Sequence, residues 1–156
     1  MRFSAILTPR PGGALEKKLN RLARKFPSIQ ADLAATWAEL MGPPPVPIPS
    51  GQRVVVMQRT APNVVLKVRV ASSDMGKGAS GGFRVVLLER QPDHWQPVLI
   101  YPKNEQEDVS PAEVRKAILE ETAEEAAEES AAPNEGSLEA PTPDGGGKTA
   151  PGEPTS

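Results

Sequence analysis

From Val64 to Tyr101 the apolar side chains fall into three short runs separated by turn chemistry. In the first, Val64, Leu66, Val68 and Val70 alternate with Val65, Lys67, Arg69 and Ala71, a period of two that predicts a strand with one face in a core and the other partly in water. The second run follows Gly82 and the third follows a Pro-Asp-His turn. Both are rich in Val, Ile and Leu, so the three together predict an antiparallel meander. Earlier in the chain the period changes. Leu15, Leu19, Leu22, Ala23 and Phe26 recur at helical spacing, with Lys17, Lys18, Arg21, Arg24 and Lys25 mostly on the opposite face. Pro27 breaks that helix, Ser28 is placed to cap a second one carrying Ile29, Leu33, Trp37, Leu40 and Met41, and Gly42-Pro43 stops it. So short a break predicts a helical hairpin packed on the sheet.

Arg2 to Thr8 is a further strand candidate, and Arg53 to Arg59 is another, placed to form a hairpin with the first meander strand across residues 60–63. Residues 43–52 hold five prolines and read as an extended linker. Ser110-Pro111-Ala112-Glu113 is a capping box, with Val109 and Val114 as its hydrophobic staple, so a C-terminal helix starts there and runs into the Glu/Ala stretch until Pro133.

Composition divides the chain. Residues 122–156 are poor in large apolar side chains and dense in Glu, Ala, Pro and Gly, which cannot offset chain entropy, so disorder is expected beyond the helix. The charge divides at the same place: residues 1–121 carry 17 Lys/Arg against 12 Asp/Glu, and residues 122–156 carry 1 against 8. A basic domain of residues 1–121 is compatible with a phosphate-bearing partner, and the acidic tail reads either as a solubilising extension or as an RNA mimic for the basic face. With no cysteine and His94 as the single histidine, neither a thiol nucleophile nor a usual zinc site can be assembled, and no metal or cofactor is expected. No apolar stretch approaches the roughly 20 residues that span a bilayer, so no membrane role and a cytoplasmic location are expected.

Two motifs bear on chemistry. Gly76 to Gly81 matches a phosphate-cradling glycine pattern, but Gly82 leads into a strand where such a loop must open a helix, so the stretch reads as a hairpin loop with Lys77 near its tip. The second is the cationic set Lys67, Arg69, Arg84 and Lys103, which one small sheet gathers near one face. It reads either as a solvated face with ion pairs to Glu89, Glu105 or Asp108, or as a phosphate site.

The order K-x-R in the first meander strand, a Gly/Ser loop ending GG-F-R-V, and a strand ending LIYPKNEQEDVSPAEVRKAI resemble the RelE/ParE family of bacterial toxins over residues 1 to about 121. The resemblance implies a RelE-like α+β fold, an antiparallel sheet with an N-terminal helical hairpin and a C-terminal helix. It implies a metal-independent mRNA endonuclease acting at the ribosome and silenced by a cognate antitoxin protein. It places Arg84, Lys67, Arg69 and Lys103 in the catalytic set, with Lys77, Tyr101 and His94 as candidate substrate contacts. Asn104 and Ser110 stand where some RelE-type nucleases have Arg and Tyr. That departure keeps open a binding module without catalysis: a gyrase inhibitor of the ParE kind, or a toxin that retains only antitoxin binding.

Overall fold

The computed structural model describes residues 1–59, 64–76, 81–106 and 108–131, with the side chains beyond residue 122 left aside. Five strands form one sheet in the order β1-β5-β4-β3-β2. They are β1 (Ala5–Ile6), β2 (Val54–Gln58), β3 (Val65–Val70), β4 (Phe83–Gln91) and β5 (His94–Pro102). The helices are α1 (Ala14–Lys25), α2 (Ile29–Met41) and α3 (Pro111–Ala131). The chain divides into two units, Met1–Glu121 and Thr122–Ser156, and α3 spans the division.

The meander β3-β4-β5 is antiparallel, and β2 pairs with β3 as expected. The N-terminal strand candidate joins the sheet as β1, which runs parallel to β5 and makes the sheet mixed. Of the strand candidate at Arg2 to Thr8 only two residues pair. Phe3 turns inward beside the fully buried Trp95, whose indole Nε1 donates to the Arg2 carbonyl at 2.9 Å.

Alternation sets the two faces of the sheet. Leu66, Val68, Val70, Phe83, Val85 and Leu87 pack with Leu15, Leu19, Ile29, Leu33 and Leu40 of the helical hairpin. The opposite face was expected to be partly wet, yet Val65, Val86, Leu88 and Val98 form a second buried cluster with Val109, Val114 and Ala117 around the start of α3. Full burial of a large aliphatic side chain contributes about 1.5–3 kcal/mol, so α3 completes the fold on this side.

The capping box forms in full: Ser110 N donates to Glu113 Oε1 at 3.0 Å, and Glu113 N donates to Ser110 Oγ at 3.1 Å. The other helix starts are capped by partners distant in sequence. Ser28 occupies the N-cap of α2 without a side-chain cap bond; its backbone N donates to Asp74, while Asp32 accepts from the Ser73 N and Oγ. Gly13 precedes α1 with no side chain to offer, and Glu121 reaches over from α3. Its buried carboxylate accepts from Arg10 N and Leu15 N, both at 3.1 Å. The proline-rich connector is also more than a linker, since Val46 and Ile48 pack against the main core and Val46 N donates to the Leu40 carbonyl at 2.9 Å. The expected disorder beyond Pro133 and the turn at residues 60–63 lie outside the described residues.

Candidate functional site

The strand register decides which cations meet. Arg69 on β3 lies directly opposite Arg84 on β4, and Arg84 lies directly opposite Tyr101 on β5. Paired residues of adjacent strands point to the same side of a sheet, so the three side chains form one row across it. Lys67 begins the next row, two residues along β3 and about 7 Å away, with Val55 of β2 as its neighbour. Lys103 follows the end of β5, where its backbone N donates to the Gly82 carbonyl at 2.9 Å. Gly82 cannot carry a side chain there, because a Cβ would stand 2.1 Å from the Val70 carbonyl oxygen. The glycine lets β3 and β4 close tightly beside Lys103.

Lys67, Arg69, Arg84 and Lys103 together line one cleft of about 230 Å³. Gln52, Val55 and Asp108 complete its walls. A second cleft of about 200 Å³ lies between β1 and the helical hairpin, but Ile6, Leu15, Leu33 and Trp37 dominate it and no charged side chain lines it. It offers nothing to a phosphate.

Burial and like charge both act on Arg84. Arg84 is 4% exposed, and burial, then the charge of Arg69, hold its pKa below the ordinary guanidinium value. Its Nη1 donates to the Phe83 carbonyl at 3.3 Å. Like charges directly opposite on neighbouring strands cost stability. Arg69 is steadied by Gln52, whose Oε1 accepts from its Nη2 at 2.8 Å. Tyr101 is 1% exposed; burial first, and then the Asp108 carboxylate, push its pKa up to about 12 despite the counter-pull of Arg84. Its hydroxyl therefore keeps its proton at neutral pH. Among the described residues, no hydrogen bond of full geometry reaches that hydroxyl.

Of the three acids considered as partners for the cations, only Asp108 reaches the cleft. Glu105 pairs with Lys25 at 2.6 Å, and Glu89 accepts from Asp93 N at 3.0 Å. Asp108 Oδ1 accepts from Val109 N at 2.8 Å and from Lys67 Nζ at 3.1 Å, and these bonds, the backbone one first, hold its pKa below the usual carboxylate range.

The structure thus brings Lys67, Arg69, Arg84 and Lys103 together in one cleft, with Tyr101 buried in the same row as Arg69 and Arg84 but outside the cleft walls. His94 stands at the opposite end of β5, seven residues and about 23 Å from Tyr101, with its Nδ1 2.9 Å from the Pro92 carbonyl. It is outside the cleft. Lys77 lies outside the described residues. Sequence reasoning did not assign Gln52 to the site, and it treated Asp108 only as a possible ion-pair partner. The position of Asp108, just ahead of a capping box that follows the third meander strand, was the available signal.

Comparison with known families gives one match: the model described as "RelE toxin of RelE / RelB toxin-antitoxin system" covers residues 51–139, more than half of the chain. No curated protein and no solved structure matches. The matched span contains β2 to β5, the start of α3 and every wall of the basic cleft.

Proposed function

Because this chain belongs to the RelE toxin family of the RelE/RelB toxin-antitoxin system, we propose that it cleaves mRNA at the ribosome without a metal ion and that a separate antitoxin protein holds it silent. The observation that carries this reading is the cross-strand row Arg69-Arg84, flanked by Lys67 and Lys103 in one cleft. Two arginines directly opposite each other on neighbouring strands repel, and a phosphodiester between them would offset that repulsion.

The chemistry follows from fixed charge. The ribose 2′-oxygen attacks the adjacent phosphorus and the bond to the 5′-oxygen breaks, leaving a 2′,3′-cyclic phosphate and a free 5′-hydroxyl. Negative charge builds on the phosphoryl oxygens during the attack, and the forked Arg69 and Arg84 guanidiniums can each make two hydrogen bonds to them. The 2′-hydroxyl proton passes to water in the open cleft, and an ammonium of Lys67 or Lys103 protonates the leaving oxygen. Tyr101 lies in the same cross-strand row but is buried and outside the cleft walls, so it takes no part in the proton transfers.

A second reading has a specific observation in its favour. Ser110, which stands where some family nucleases carry Tyr, is committed to capping α3, so the start of that helix supplies no proton donor. A binding module that poisons gyrase, or that only binds an antitoxin, needs none. Mapping transcript ends after induced expression separates the two. New ends within open reading frames, absent with Arg84→Ala, are expected. Whole transcripts accompanied by a DNA-damage response would replace the nuclease reading with gyrase inhibition.

A further inference from the structure

The basic cleft contains a carboxylate that no step of the proposed cleavage uses. Asp108 lines it, and the same oxygen accepts from Lys67 Nζ and from the backbone N of Val109. The backbone bond fixes that oxygen independently of Lys67. The ion pair itself is loose, since the Asp108 side chain is 66% exposed and that of Lys67 23%. Pairs of this kind are weak and screened by salt, so a more highly charged anion can displace them.

We propose that Asp108 is a positioning residue that stands in for a substrate phosphate: its carboxylate holds the Lys67 ammonium where a phosphate oxygen later accepts from it, and the arriving phosphate displaces it. The inference rests on the reading of the cleft as a phosphodiester site. Its consequence is that the free protein competes with its own substrate for one of its cations. The cleft binds polyanions less tightly than its cations alone would allow, and selectivity shifts toward ligands with enough charge to break the pair. Glu89 and Glu105 cannot take this part, because each is engaged elsewhere.

The test compares the full chain with Asp108→Asn, with Lys67→Met, and with the double variant. The probes are a 2′-O-methyl oligoribonucleotide, which cannot be cleaved, and inorganic pyrophosphate. Asparagine keeps an oxygen to accept from Val109 N, so the start of α3 is preserved, and the unfolding midpoint checks this. Asp108→Asn is expected to bind both probes about threefold tighter at low salt, with the gain fading as salt rises. In the Lys67→Met background the gain should vanish. A merely structural role would leave affinity unchanged or weaken it, and either result overturns the proposal. A second measurement needs no variant: the Asp108 carboxyl carbon resonance of the wild-type protein should move when pyrophosphate saturates the cleft, and a stationary resonance would overturn the proposal as well. Tighter pyrophosphate binding by Asp108→Asn with transcripts left whole would sustain this inference while removing the nuclease reading. Cut transcripts with no gain in affinity would do the reverse.

Discussion

Replacing Arg84 by methionine should remove activity while leaving a folded protein. Methionine is long and unbranched, so it can replace the arginine stem in the buried row between Arg69 and Tyr101. The arginine costs the fold in two ways on the structure: it is buried, and it faces Arg69 directly across the β3-β4 register. The Phe83 carbonyl loses a donor in the exchange, a loss of about 1 kcal/mol. Arg84 makes further contacts besides that bond, and these oppose the gain from removing the buried charge, so the urea midpoint is expected to stay within about 1 kcal/mol of wild type at unchanged slope. Cleavage should fall by about 10²–10³-fold, as when one preorganised donor to a developing oxyanion is removed. Transcript cleavage per unit of soluble protein is the second assay. A variant destabilised by more than 1 kcal/mol would show that Arg84 supports the fold, and cleavage at the wild-type rate would remove it from the active site.

Two other perturbations test buried groups of α3 and β5. Glu121→Ala leaves Arg10 N and Leu15 N without their buried acceptor and should cost about 2–4 kcal/mol, whereas Glu121→Gln, which keeps one acceptor oxygen, should cost less; equal urea midpoints for Ala and wild type would refute the clasp between α3 and α1. The Tyr101 pKa, raised to about 12 in the folded protein, lies above the unfolded value of about 10. The unfolded chain then releases that proton first, so the stabilising contribution is complete below the unfolded value and is lost as pH rises toward the folded one, at up to about 1.4 kcal/mol per unit. Tyr101→Phe should lack this alkaline loss, and identical pH profiles between pH 9 and 12 for the two proteins would contradict the burial of the hydroxyl.

Much of the fold was legible because its signals are local. Alternation in β3 needs only neighbours two apart, the α1 stripe only neighbours three and four apart, and the Ser110/Glu113 box only four consecutive residues. Each is written in a few positions whose geometry the backbone period dictates. The cationic set was also visible as residue types on predicted strands. What one-dimensional reading could not supply was register. Whether Arg84 meets Arg69 or slips by one residue to the other face depends on how β3, Gly82 and β4 close together, and a one-residue shift moves every side chain to the opposite side. The burial of Arg84 and Tyr101, the covering of the second sheet face by α3, and the reach of Glu121 to the start of α1 arise from pairs far apart in sequence. The parallel docking of β1 beside β5 has the same origin. Local propensity carries no record of such pairs. The chain by itself determined which elements form and which charges are available, and the tertiary structure decided which of those charges face each other, because only packing sets the distance between residues that the sequence keeps apart.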